Sequence, residues 1–151
     1  MAQAIETDTA QRLRRVVGRL TRLLRPTDAG AAAELTPTRV AVLLATVRSG
    51  QIRLADIAAQ EGLNPTLLSR TVASLVDAGL VARRSDEVDR RSAWLEPTEA
   101  GTRVAKQVLG ERTHAVEAAL LDLSEGDRRL VEQALPALER LSERLAAGHA
   151  L

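Results

Sequence analysis

The sequence predicts a mainly α fold in which two short helices meet at a sharp turn, a β-hairpin follows, and longer helices stand at either end. Three observations predict it. The 45% apolar share of the 151 residues is chiefly Leu, Val and Ala, with one Trp and no Phe or Tyr. Leu and Ala lose little rotamer freedom in a helix, and a large sheet wants aromatic and β-branched residues instead. Glu61-Gly62-Leu63-Asn64-Pro65 separates two helix-patterned runs and contains a residue suited to positive φ, a cap and a first-turn proline. Finally, Leu80 to Arg84 and Ser92 to Leu95 read as short strands around the charged tip Ser85 to Arg91.

Taken in order, the first periodic segment runs from about Asp8 to Leu24. Leu13, Val16, Val17, Leu20, Leu23 and Leu24 return at three- and four-residue steps, while Arg12, Arg15, Arg19 and Arg22 hold another side. Pro26 stops it, and Thr27 to Gly30 reads as a turn. Thr36-Pro37 starts the next helix, whose Val40, Leu43, Leu44 and Val47 make it a central, buried element ending near Ser49-Gly50. Ile52 falls in a connector with one or two extended residues. Leu54 to about Gln60 and Pro65 to about Ala78 form the helix pair around Gly62, with Leu63 filling the angle between them. Gly79 ends the second. This is a helix-turn-helix, and the hairpin behind it, marginal alone, must pack on the helices as a wing. Pro97 ends the second strand, Thr98 caps a long helix through Leu120, and Ser124 with Asp127 forms a capping box for a last helix that Pro136 is expected to bend. The expected division is residues 1–34 for an N-terminal helix and linker, 35–98 for the winged helix-turn-helix, and 99–151 for the C-terminal helices.

Composition narrows the function classes. Without cysteine there is no disulfide, thiolate metal ligand or thiol redox sensor. His114 and His149 are the two imidazoles, and His114 beside Glu111 and Glu117 has the spacing of a surface ion pair. No Gly-rich phosphate loop, nucleophile elbow or metal cluster is present, so neither an enzyme, a cofactor nor a metal is expected. The most apolar stretch, Val40 to Val47, is far short of the roughly 20 residues that cross a bilayer. Glu6 and Asp8 stand ahead of any apolar run, unlike a secretory signal, so the expected location is cytoplasmic and away from the membrane.

Net charge is only +1, but it is unevenly spread. Residues 1–25 hold six arginines against Glu6 and Asp8, residues 37–91 hold eight against six acids, and residues 92–151 hold seven bases against ten acids. A basic front and middle suit a phosphate partner.

On the second helix of the pair, Leu68, Val72 and Leu75 form the stripe that faces inward, and Leu67, Arg70 and Ser74 recur from a rotated position, with Thr66 and Ser69 beside the first turn. A major groove admits one helix, and residues near its N-terminus reach base edges. Arg70 can donate two hydrogen bonds to guanine, Thr66 and Ser69 can meet bases or phosphates, and Leu67 can touch a thymine methyl or pack on the hairpin. An isolated arginine of this kind is usually only solvated. Its place on this helix, with no acid at i+4, favours contact with double-stranded DNA. At the hairpin, Arg83, Arg84, Arg90 and Arg91 mix with Asp86, Glu87 and Asp89. The acids can orient arginines that reach a narrow minor groove, although a merely solvated charged turn has the same composition.

The stretches LADIAAQEGLNPTLLSRTVASLVDAGLVARR and DEVDRRSAWLEPTEAG, within Leu35 to Gly101, resemble the multiple antibiotic resistance regulator (MarR) family. The resemblance implies a homodimeric transcriptional regulator, often a repressor, with a winged helix-turn-helix between N- and C-terminal dimerisation helices. It also implies release from DNA when a small aromatic or other apolar effector binds between those helices and the core. The family's wing signature of aspartate, any residue and arginine matches Asp89 and Arg91, with Arg90 between. Its recognition-helix arginine matches Arg70. Its threonine-glycine motif matches Thr98 and Gly101, with Pro97 where an apolar residue is usual.

A dimer is expected from geometry as well, because the apolar stripes of the terminal helices exceed what the compact middle can cover. Two copies would set their recognition helices one DNA turn apart, roughly 34–36 Å, on a pseudo-palindromic site. The alternative from another class is a winged-helix module that binds a protein and not specific DNA.

Overall fold

A computed structural model of the chain describes residues 2–85 and 93–148. Seven helices and three short strands follow one another there: α1 (Ala2–Leu23), α2 (Asp28–Ala32), α3 (Pro37–Ser49), β1 (Ile52–Arg53), α4 (Leu54–Glu61), α5 (Pro65–Asp77), β2 (Val81–Ser85), β3 (Ala93–Pro97), α6 (Glu99–Leu121) and α7 (Glu125–Gly148). They form two compact units, Met1–Arg112 and Thr113–Leu151.

Local chemistry starts and stops most of these elements. The Thr36 side chain accepts from the Arg39 N–H at the head of α3, with Pro37 in the first turn. At the end of α4, Gly62 takes a left-handed conformation, φ 62° and ψ 33°, that a Cβ would disfavour. Ser124 caps α7 by accepting from the Asp127 N–H at 3.1 Å while its hydroxyl donates to the Asp127 carboxylate at 2.6 Å. The expected bend at Pro136 falls inside α7, which continues through it.

Two expectations need correction. Helix α1 begins at Ala2 rather than near Asp8, because nothing in Ala-Gln-Ala-Ile-Glu-Thr interrupts a helix. Thr27 to Gly30 is not a plain turn. Thr27 caps the five-residue helix α2 by accepting from Gly30 N at 3.2 Å, and the Glu111 carboxylate of α6 accepts from Ala29 N at 3.0 Å. A helix too short to persist alone is thus held from outside.

The core of the first unit gathers Val42 and Leu43 of α3, Ile57 of α4, Leu68, Val72 and Leu75 of α5, Ile52, Val81 and Leu95 of the sheet, and Ala105 of α6. Thr46 is fully buried there, and its hydroxyl is satisfied by donating to the Val42 carbonyl at 2.8 Å. The strands form one antiparallel sheet in the order β1-β3-β2, pairing Ile52 with Leu95 and Arg53 with Trp94 on one side of β3, and Arg83 with Leu95 and Arg84 with Trp94 on the other. Side chains alternate across the sheet, which sends Leu95 and Ile52 into the core and sets Arg53, Trp94 and Arg84 in a row on the outer face.

Helix α6 is tied to the root of this sheet. The Leu80 carbonyl accepts from Thr98 N at 3.1 Å, the Thr98 hydroxyl donates to Gly79 O at 2.7 Å, and Gly101 N donates to Thr98 Oγ1 at 3.0 Å. The helix comes so close that a Cβ on Gly101 would stand 1.9 Å from the Leu80 carbonyl oxygen. The Gly101→Ala variant should therefore lose stability despite alanine's better helix propensity. Overpacking costs roughly 1–3 kcal/mol, and a clash with backbone belongs at the upper end. Urea unfolding should show the loss as an earlier midpoint with little change of slope; an unchanged midpoint would mean that α6 does not press on Leu80.

Candidate nucleic-acid interface

The turn between α4 and α5 decides where α5 points. After Gly62 the Leu63 N–H donates back to Ala58 O at 3.0 Å, and the Leu63 side chain packs against the core. Asn64 then caps α5, its Oδ1 accepting from Leu67 N at 2.8 Å, with Pro65 supplying the preset φ of the first turn. Leu68, Thr71, Val72 and Leu75 are buried, so one stripe of α5 is committed to the core. The hydroxyl of Thr71 is spent on the Leu67 carbonyl at 2.8 Å.

The rotated side is open. Thr66, Leu67, Ser69 and Arg70 are exposed, Leu67 by 42%, while Ser74 is half-buried. Among the described residues, the hydroxyls of Thr66, Ser69 and Ser74 and the guanidinium of Arg70 have no hydrogen-bond or ion-pair partner. The first three turns of α5 thus present a cation, three unspent hydroxyls and an uncovered apolar group. Those are the groups that hydrogen-bond base edges and phosphates and touch a thymine methyl.

The wing stem carries charge in a more constrained form. Arg84 on β2 is 70% exposed and its Nε lies 2.8 Å from Glu96 Oε2 on β3, while the Arg53 guanidinium sits 4.7 Å from the Trp94 ring centroid. Ion pairing and cation–π contact hold these planar groups in place and leave the Arg84 head in water. Arg90, Arg91 and Asp89, expected at the wing tip, lie outside the described residues.

A cavity of about 520 Å³ opens inside the first unit between the end of α1, the start of α3, the turn after α4 and the Arg112 side chain of α6. Arg25 and Glu61 line it beside Leu24, Ala41 and Leu63, and no aromatic side chain does. Arg112 also lines it, and its Nε is buried without a hydrogen-bond partner among the described residues.

Sequence reasoning missed three of these features. The Arg53–Trp94 stack and the Arg84–Glu96 pair depend on register across strands far apart in the chain, and the cavity depends on how four helices meet. The expected His114–Glu117 pair is present at 3.8 Å between side chains 85% and 64% exposed. Among the described residues no group of His, Asp and Glu could hold a metal ion.

Residues 33–92 match the model of the MarR family. An HTH-type transcriptional regulator from Mycobacterium bovis is 26% identical over 118 residues, covering 78% of this chain and 81% of that protein. The structure of a MarR family protein from Bacillus stearothermophilus superposes with a TM-score of 0.77 at 20% identity, over 95% of this chain and 99% of that one. The crystal structure of NadR in complex with 4-hydroxyphenylacetate gives 0.62 at 22% identity, over 83% and 88% of the two chains.

The cap on α5 can be tested by itself. Asn64→Ala should cost about 1 kcal/mol, the usual loss for such a cap, while Asn64→Asp should restore most of it. Thermal unfolding of the three proteins would check this, and an equal melting temperature for all three would leave Asn64 without a capping role.

Proposed function

We propose, from the match of residues 33–92 to the MarR family model, that the protein is a sequence-specific, double-stranded DNA-binding transcriptional regulator, a repressor relieved by a small molecule. One observation carries this: the exposed side of α5 holds Thr66, Leu67, Ser69 and Arg70 with their bonding groups unspent, while the opposite stripe is locked in the core. In this reading α5 enters the major groove. Arg70 donates to guanine, Thr66 and Ser69 bond bases or phosphates, Leu67 meets a thymine methyl, and Ser74 borders the groove. Arg84 holds a phosphate at the wing stem, Arg90 and Arg91 extend along the minor groove, and Asp89 orients them.

The working unit is a homodimer. Leu23 of α1 is 63% exposed, Leu121 of α6 70% and Leu130 of α7 63%, each within a stripe of further exposed aliphatic residues. A monomer rarely leaves so much contiguous apolar surface wet. Residues 1–34 and 99–151 would supply the dimer contacts, and the two-fold axis would match a pseudo-palindromic site. Sedimentation equilibrium should then return twice 16.2 kDa; a monomer at micromolar concentration would remove the geometric basis for two half-sites.

The cavity beside Arg112 supports effector control. Its aliphatic wall suits a small apolar body, aromatic or not, and the Arg25 and Arg112 side chains on its lining suit a carboxylate or phenolate on it. It is bounded by the helix-turn-helix turn on one side and by α1 and α6 on the other, so occupancy bears on both. No described helix is long and apolar enough to cross a membrane, and we place the protein's work in the cytoplasm.

The decisive measurement is binding to duplexes selected from a random pool. Wild-type protein should prefer its selected duplex over a scrambled one, with affinity falling as salt rises. Arg70→Ala should cost about 1–3 kcal/mol on the selected duplex and relax the preference at one base step; Arg91→Ala should weaken both duplexes alike. If scrambled and selected duplexes bind equally, or neither binds, the regulator reading fails, and negligible DNA affinity with a stable heterocomplex would favour a protein-interaction module instead.

A further inference from the structure

The arginines of α1 are not explained by a recognition helix and a wing. From Thr9 to Thr27 the chain has six arginines and no Asp or Glu. Arg12, Arg15, Arg19 and Arg22 follow at steps of three and four, which puts them on one face of α1, and all four are exposed. Among the described residues none of the six has an ion-pair or hydrogen-bond partner. Like charges at these spacings oppose the helix that carries them, so an uncompensated row has a cost that a bound polyanion removes.

We propose that this face of α1 binds the phosphate backbone of duplex DNA beyond the half-site that α5 reads. The inference rests on the DNA-binding reading of α5 and extends it to flanking sequence. Placement supports it. Thr21, Leu24 and Arg25, at the end of α1, line one cavity with Leu63, the residue just before the cap of α5. The Arg22 end of the row is therefore within one turn of residues that share a cavity with the helix-turn-helix, on another side of α1 from them, and the row extends for about 15 Å, at 1.5 Å per residue from Arg22 back to Arg12. A DNA strand presents a phosphate every 3.4 Å of its axis, so a row of this length faces about four.

Residue type and surroundings favour this occupant over a second copy of the chain. Every cation in the row is arginine, whose planar fork pairs two phosphate oxygens. Val16, Val17, Leu20 and Leu23 occupy the apolar side of α1, which the dimer would cover, leaving the basic side outward. The acids of α7 do not complement it, because they alternate with arginines and are partly paired already, as Glu125 is with Arg129.

The test compares two duplexes from in vitro selection on the wild-type protein, one trimmed to about 20 base pairs around the two half-sites and one keeping about 15 more on each side. Wild type should show a steeper salt dependence on the long duplex, by up to about 0.9 in log–log slope per phosphate engaged. The quadruple variant R12Q/R15Q/R19Q/R22Q keeps good helix formers at all four positions. It should lose that extra slope and at least about tenfold in affinity for the long duplex at low salt, and bind the short one within about twofold of wild type. One slope for both duplexes in the wild type overturns the proposal while leaving α5's role intact. The proposal also falls if the variant keeps the difference, or keeps it and sediments as a monomer, which would assign the row to the second copy. No binding of either duplex by wild type removes both readings.

Discussion

The orientation of α5 is the constraint on which the rest depends. Leu68, Val72 and Leu75 are 3%, 2% and 0% exposed and pack into a cluster that also holds Ile57, Leu43 and Leu95. Burying three such side chains stabilises by roughly 1.5–3 kcal/mol each. That outweighs any rotation of the helix, since one residue of slip turns it by about 100° and would put Ser69 and Ala73 where Leu68 and Val72 sit. With the inner stripe fixed, the outer stripe has no freedom to be elsewhere, and Thr66, Leu67, Ser69 and Arg70 share one exposed side as a consequence of packing. Gly62 and Asn64 serve the same end: one lets the chain reverse in a left-handed conformation, the other begins the helix at a set residue.

Around that helix the protein separates polar groups that are spent from those that are not. The hydroxyls of Thr46, Thr71 and Thr98 bond backbone carbonyls and hold helices or joints together. Those of Thr66 and Ser69 bond nothing among the described residues. Arginines divide in the same way. Arg53 lies over Trp94 and Arg84 is paired with Glu96, while Arg70 and the α1 row have no hydrogen-bond or ion-pair partner among the described residues. Preorganised donors lose less freedom when a charged ligand arrives, and unspent ones have no internal bond to break.

The joint at Leu80 links these parts. One carbonyl accepts from Thr98, lies against Gly101, and follows closely on the end of α5, so α5, the wing and α6 meet within a few residues. The cavity at Arg112 lies farther along the same α6, whose Glu111 also holds α2. A change at that point of α6 has a short, covalently continuous route to the base of the wing.

Much of this was legible in the residues themselves. The helix pair, its Gly62 turn, the Asn64-Pro65 start, the stripe Leu68/Val72/Leu75 and the Ser124 cap follow from spacing and local bonding chemistry, which act within one or two turns of chain. Six of the nine expected site residues fall among the described ones, five of them exposed and Ser74 half-buried. What spacing could not foretell came from contacts between distant segments. Helix α2 is held by Glu111, Gly101 is required by a carbonyl on another element, Arg53 finds Trp94 by strand register, and the cavity exists because four elements leave a gap. Periodicity and capping are properties of neighbours along the chain. Close approach, register and voids are properties of neighbours in space, and only the folded chain decides who those are.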